Sequence, residues 1–251
     1  MNNLPKTWHK ETDVIVIGGG GTGLAATVSA SEAGASVILL EKMPELGGTT
    51  GIAIGSFTAA CTSLQKAANI QDNPTWHNED MAKFAAHREP KNNSDMRQFF
   101  AENAADTLTW LQSFHLEFYG PSPEPPNRVA RMHNVIPNAK AYIAALHRHA
   151  LEHGAQVLTN HNVQTLYQNP YGRIIGLRAT HPNGHIDIRA NKGIILAAGD
   201  YSSGDMVKQK HLPANIAAIE GINPNATGDG HLLAEAIGAD LINMDLIYGP
   251  E

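Results

Sequence analysis

The 251-residue sequence holds one cysteine, Cys61, which excludes an intrachain disulfide and any cysteine-built metal cluster. Charge is scarce as well. Only 17% of residues are charged, low for a self-contained soluble surface, and the net charge of −6 gives no basic field for nucleic acid or an anionic membrane. No apolar run reaches the roughly 20 residues of a membrane span. Met1 to Thr12 are polar and lack the apolar stretch of a secretory leader. A cytoplasmic location is therefore expected, with no nucleic-acid partner and no membrane span. Internal repeats, low-complexity tracts and a G-x-S-x-G nucleophile elbow are all missing. Glycine (23 residues) and proline (14) are plentiful, and the 42% hydrophobic content suffices for one large or two small cores.

The glycines concentrate in the run Asp13-Val14-Ile15-Val16-Ile17-Gly18-Gly19-Gly20-Gly21-Thr22-Gly23. Val14 to Ile17 have the β-branched character of a strand covered on both faces. Gly18, Gly20 and Gly23 fit G-x-G-x-x-G between that strand and a helix predicted over Thr22 to Ala33, closed by Gly34. In this pattern Gly18 makes the turn, Gly20 lets a pyrophosphate approach the backbone, and Gly23 permits close helix packing. The helix N-terminus then turns its unpaired N–H groups and positive dipole end to the phosphates. A second apolar run, Val37 to Leu40, closes on Glu41, 18 positions after Gly23. An acid about 20 residues on accepts hydrogen bonds from the ribose hydroxyls and repels a 2′-phosphate, which disfavours NADP.

Further along, Asn78 to Phe114 reads as helical with Asn93-Ser94-Asp95 as a cap, Pro121 to Pro126 as a stiff surface loop, and Pro137 to His153 as an amphipathic helix ended by Gly154. Asn162–Gln168, Arg173–Thr180 and His185–Arg189 read as three strands of an antiparallel meander. Lys192 to Gly199 returns as a separate buried strand that stops at small residues, and Gly228-Asp229-Gly230 precedes a helix from His231 to Ile237. A domain built for NAD alone would alternate strand and helix throughout. One βαβ unit, a helical excursion, a meander and a return strand instead indicate an α/β, three-layer FAD/NAD(P)-binding (Rossmann-like) domain, with a parallel central sheet, of the kind that takes FAD.

Four motifs now resemble a known family: Gly18 to Gly23 with Glu41-Lys42; Gly47-Gly48-Thr49-Thr50 through Gly55-Ser56; Ile195 to Gly199; and Thr227-Gly228-Asp229-Gly230 with Gly238-Ala239. The chain is similar to FAD-dependent oxidoreductases of the fumarate reductase and succinate dehydrogenase flavoprotein type, a group that includes urocanate reductases and 3-ketosteroid Δ1-dehydrogenases. The resemblance implies a pyrophosphate held by Gly18, Gly20, Gly21, Thr22 and Gly23, and a ribose on Glu41 beside Lys42 and Met43. It implies that Gly47, Gly48, Thr49, Thr50, Gly55 and Ser56 wrap the ribityl chain and the isoalloxazine edge. Val163 would meet the adenine through its backbone, Ala197, Ala198 and Gly199 would lie against the cofactor, and Asp229 would bond near the flavin's polar end. Covalently flavinylated members carry a histidine at the position of Thr49, so non-covalent FAD is expected. Asp200 stands where the family has glycine, and is expected to cap a helix.

The family's members continue past the segment matching Gly238 to Ile247 into a substrate-capping domain and return to complete the flavin site. The expectation is that residues 1–251 form the N-terminal portion of an FAD-binding domain, without the capping domain, the C-terminal FAD segment or the catalytic residues. The implied activity is hydride transfer through flavin N5 to or from a C–C bond next to a carbonyl or carboxylate of a small-molecule substrate. Two other readings stay open: a non-catalytic module, gene remnant or half of a split enzyme whose second chain supplies the capping domain, and an NAD-binding dehydrogenase domain. Among remaining candidates, the i, i+4 pair His149 and His153 has no acid in an H-E-x-x-H frame, so a solvated helix face is expected. Arg128 to Arg131 and His133 are expected on a surface loop, with substrate contact as the alternative, and Cys61 as a small buried residue rather than a redox thiol.

Overall fold

The glycine turn sits where a central strand hands over to its helix. The computed structural model describes residues 4–84 and 91–247 in two compact units, one of Met1–Ile52 with Leu146–Glu251 and one of Ala53–Ala145. In the first, β1 (Lys10–Ile17), α1 (Gly21–Glu32) and β2 (Val37–Leu40) form the opening βαβ arrangement. With β6 (Gln156–Leu158), β7 (Asn162–Gln168), β8 (Ile174–His181) and β9 (Gly184–Leu196) they build a six-stranded sheet in the order β6-β2-β1-β9-β8-β7. The β1, β2, β6 and β9 pairings are parallel, whereas β7, β8 and β9 pair antiparallel. The chain is thus a mixed α/β protein with a parallel central sheet and an antiparallel meander.

Its core follows from strand alternation. Ile15, Ile17, Ile38 and Leu40 pack with Val163, Leu166, Leu177 and Ile188 in one cluster. Val16 and Leu39 between them point to the other face, and Leu24 and Val28 of α1, which packs on β1 and β2, are fully buried too. Covering both faces explains the unbroken β-branched run of β1.

Two expectations change here. The meander's last strand and the return strand are one continuous element, β9, pairing with β8 through Arg189 and with β1 through Leu196. The register shifts between Thr12–Ala190 and Val14–Gly193, so a bulge absorbs the polar Asn191-Lys192 that looked like a break. Nor is the return strand buried to its end, since Ile195 and Leu196 are 37% and 41% exposed.

The second unit holds α3 (Pro74–Phe84) and α4 (Ser94–Ser113), where Asn93 caps α4 by accepting from Met96 N–H. Residues 85–90 of the expected helical stretch lie outside the described residues. This unit also contains a three-stranded sheet, β3 (Ser56–Thr58), β5 (Met132–Ile136) and β4 (Glu117–Ser122), that sequence reading missed. Pro121, read as loop, lies inside edge strand β4, within the register shift between Tyr119 and Ser122, where a missing N–H costs no ladder bond. Arg131 is fully buried. It bonds both oxygens of Asp72 at 2.7 Å and Asp80 at 2.6 Å. Burial alone would raise these carboxyls, but hydrogen bonds from Arg131 and neighbouring groups outweigh it and hold both below the usual carboxylate range. Nearby, burial and the Arg131 charge push His77 down to about 4.

Truncating one member of such a cluster strands the others' charge. Arg131→Met should therefore destabilise by about 3–5 kcal/mol in urea unfolding. All three depressed groups act in one direction, because the unfolded chain binds protons first. Stability should be full above pH 6.5, decline as pH falls from 6.5 towards 4 while unfolded His77 protonates, and fall further through the carboxylate range. His77→Phe should flatten the first of these declines.

Candidate functional site

Gly18 has φ +106, and a Cβ there would lie 2.4 Å from the Ala197 carbonyl oxygen, so only glycine can turn β1 beneath the end of β9. A Cβ on Gly23 would lie 1.8 Å from the Gly18 oxygen. Its role is therefore packing of α1 against the turn itself. Around Gly20, by contrast, the nearest atoms to an added Cβ are 3.8 Å away. Gly20 is the N-cap of α1 and offers no side-chain cap, and the first turn carries no acid. Gly21 N–H donates to Thr50 Oγ1 at 3.2 Å. The remaining N–H groups of that turn have no intrahelical acceptor by helix geometry. The helix thus presents its positive end with no acid in its own first turn.

Glu41, only 9% exposed, closes the turn from β2. Its Oε2 accepts from Gly19 N–H at 2.7 Å and its Oε1 from Met43 N–H at 2.8 Å. Each oxygen keeps a second lone pair for an incoming hydroxyl. The backbone of Glu41 bonds Leu158 and His161, and Met43 bonds Asn160, which lays the start of β7 alongside. Lys42 Nζ bonds Asp229 Oδ2 and Thr227 Oγ1, each at 2.7 Å. The Asp229 carboxylate, expected near the flavin's polar end, bonds Lys42 and Thr227 in this structure. A cavity of about 290 Å³ lies between β7 and α8 (Asp229–Glu235), lined by Asn162, Val163, Thr165, Asp229, Leu232 and Leu233.

The 47–50 loop joins the same neighbourhood. Gly47 N–H donates to Gly19, and Thr49 Oγ1 accepts from Asn223 at 3.0 Å. Gly48 approaches Gly20, with a Cβ there 3.4 Å from the Gly20 Cα. Ala197 N–H bonds Ile17, carrying Ala197, Ala198 and Gly199 past the end of β1. Gly55 and Ser56 fall in the other unit, where the Gly55 carbonyl accepts from Tyr142 and Ser56 bonds Asn134. Sequence reading missed the Asn223 contact and the α8 side of the cavity. The Asn-Pro-Asn turn at 223–225 was the available signal for the first.

Other candidates settle into structural roles. Arg128, Arg131 and His133 are not a surface substrate loop. Both arginines are tied into the Asp72/Asp80 cluster, and buried His133 bonds Thr62 and the Phe57 carbonyl. Cys61, expected to be buried, is only half-buried; its thiol donates to the Asp72 carbonyl and is raised by partial burial. Asp200 accepts from Ser202 N–H, capping a local turn and not a helix.

Fold and turn define a dinucleotide-binding α/β protein. A family model described as "FAD binding domain" matches residues 13–248, and the chain belongs to that family. Urocanate reductase of Eggerthella lenta is 31% identical over 256 residues, covering 97% of this chain and 41% of that protein. NADH:fumarate oxidoreductase of Klebsiella pneumoniae is 29% identical over 238 residues, covering 94% of this chain and 25% of that one. Among solved structures, the open conformation of a flavocytochrome c3 fumarate reductase superposes with a TM-score of 0.87 at 29% identity, over 93% of this chain and 41% of that one. A 3-ketosteroid-Δ4-(5α)-dehydrogenase from Rhodococcus jostii RHA1 gives 0.85 at 26% identity, over 96% and 56%. The chain spans between a quarter and a half of the curated relatives it matches. Among the described residues, no helix is long and apolar enough to cross a membrane.

Gly23, at close approach, and Gly20, where a Cβ makes only ordinary contacts, should separate by mutation. In urea unfolding without added ligand, Gly23→Ala should cost at least about 2 kcal/mol, because its neighbour is backbone and cannot yield. Gly20→Ala should stay within about 1 kcal/mol of the parent.

Proposed function

We propose that this chain holds FAD non-covalently, as the nucleotide-binding part of a flavin oxidoreductase acting on a C–C bond next to a carbonyl or carboxylate. The observation that carries this reading is the N-terminus of α1 at Gly20, which has no acid in its first turn and room for close backbone approach, with the Glu41 carboxylate held by the neighbouring Gly19 N–H. A pyrophosphate supplies the negative charge that the helix end lacks. Glu41, oriented by Gly19 and Met43, has acceptor capacity left for a ribose diol. The cavity beside Val163 offers an adenine both apolar side chains, Val163, Leu232 and Leu233, and polar groups from Asn162, Thr165 and Asp229. Lys42, next to Glu41 in the chain, holds Thr227 and Asp229, the latter part of the cavity wall.

Thr49 supports a non-covalent attachment, since a threonine hydroxyl engaged with Asn223 offers no ring nitrogen to a flavin. When bound, FAD supplies hydride transfer at N5, and these residues bind and orient it. Fumarate and urocanate, the substrates named by the two relatives, both present an alkene conjugated to a carboxylate, which motivates the substrate class. In this reading residues 1–251 act as an FAD-binding portion in a reducing, cytoplasmic setting, and further polypeptide, on this chain or a second one, completes the substrate site.

Purified protein should carry, or take up, one FAD per chain, released intact on denaturation. Glu41→Gln should weaken binding about tenfold to hundredfold, the worth of hydrogen bonds to a charged group. Gly20→Ala should fold and yet lose FAD. A folded, colourless protein indifferent to added FAD would overturn the proposal. Preference for NADH in competition would favour a nicotinamide-binding domain instead. FAD binding without turnover of unsaturated carboxylates, even with a reductant present, would favour the non-catalytic module.

A further inference from the structure

The histidine pair set aside in the sequence acquires the acid it lacked. His149 and His153 lie one turn apart on α5 (Lys140–Glu152) and just beyond its end, on one face. Glu32, the last residue of α1, reaches His149 Nε2 through Oε1 at 2.9 Å. One potential ligand atom from each of Glu32, His149 and His153 lies within 4.8 Å of the others. All three belong to the same unit. Two donors bound to one tetrahedral zinc at ~2.0–2.1 Å lie about 3.4 Å apart. Rotation of partly exposed side chains suffices to reach that spacing.

The surroundings favour a cation over a simple hydrogen bond. His149 faces a carboxylate from each ring nitrogen, Glu32 at Nε2 and Glu152 at Nδ1, the latter at 3.5 Å. A neutral imidazole has a single N–H, so one of these contacts sets lone pair against lone pair. A metal ion between Nε2 and Glu32 removes the conflict, because Nδ1–H is then free to donate to Glu152. That is the carboxylate–histidine–metal arrangement by which ligating histidines are oriented. His153 is prepared in the same sense. Its Nδ1 lies 3.0 Å from the His149 carbonyl oxygen, an acceptor only, which assigns the proton to Nδ1 and leaves Nε2 as a lone pair. The rings stand 4.3 Å apart, tilted towards each other. By contrast, the pair His9 and His185 beside Asp187 finds that carboxylate already taken by Arg178 and Tyr167.

We infer that Glu32, His149 and His153 form a binding site for a divalent zinc-class cation that staples the C-terminal end of α1 to the end of α5. The donor set, two imidazoles and one carboxylate, suits Zn²⁺ and leaves a fourth position for water or a ligand from another molecule. The bound ion fixes from behind the helix whose other end forms the glycine turn.

The test uses purified, chelator-stripped protein titrated with Zn²⁺ against a chromophoric chelator, with thermal unfolding in parallel. One site per chain is expected, with a thermal midpoint that rises with zinc. His149→Ala, His153→Ala and Glu32→Gln should each weaken that site about tenfold or more. These side chains lie at the surface, and circular dichroism of the variants checks that they fold. The Co²⁺ form should show visible d–d absorption that the histidine variants lose. No zinc uptake at micromolar concentration, or uptake unchanged in all three variants, would overturn the inference.

Discussion

The structure around the glycine turn depends on one carboxylate. Glu41 sits at the end of β2, the strand next to β1, and accepts one backbone N–H from the turn and one from its own chain. Without it, Gly19 N–H would be an unsatisfied donor in a nearly closed environment, at a cost of about 1–3 kcal/mol. With it, three things are fixed together: the path of the turn, the side of the sheet on which α1 begins, and the position of an acid beside an uncapped helix end. A negative group and a positive helix terminus are thereby held next to each other without neutralising each other. A ligand carrying both a diol and a diphosphate complements that arrangement.

The second constraint is close approach. Gly18, Gly23 and Ala197 meet where β1, α1 and β9 converge, and no atom can be added there without moving backbone. The backbone of Ala197 and Ala198, just past the end of β9, lies directly against Gly18 of the turn. The parallel pairing of β1 with β9 and the antiparallel pairing of β9 with β8 make one strand the link between the nucleotide end and the meander. The start of β7 then returns to Glu41 through the backbone of residues 158–161. Distant segments of sequence become one wall through these hydrogen bonds.

Elements governed by local rules were legible in the sequence. β1, α1 and β2, the Asn93 cap, Gly34 and Gly154 as helix-ending glycines, and the helix after Gly228 all follow from periodicity, capping and turn chemistry. Illegible were features set by partners far away in the chain. The continuity of β9 across Asn191-Lys192 is permitted by a bulge against β1, which polarity alone could not reveal. The small sheet of β3, β4 and β5 has short strands broken by proline, and its pairing spans residues 56 to 136. Arg131 read as a surface cation because nothing near it in sequence announces Asp72 and Asp80 as its partners. The same limit hid the pairing of Asp229 with Lys42, and the acid Glu32 that reaches His149.

The central claim is that the α1 N-terminus and the Glu41 carboxylate together receive a dinucleotide's diphosphate and ribose. Amide hydrogen exchange, read residue by residue with and without FAD, tests it most directly. The account predicts slowed exchange concentrated at Gly20, Thr22 and Gly23 and across residues 41–43. Unchanged exchange at those amides while FAD binds, with protection appearing only elsewhere, would contradict it.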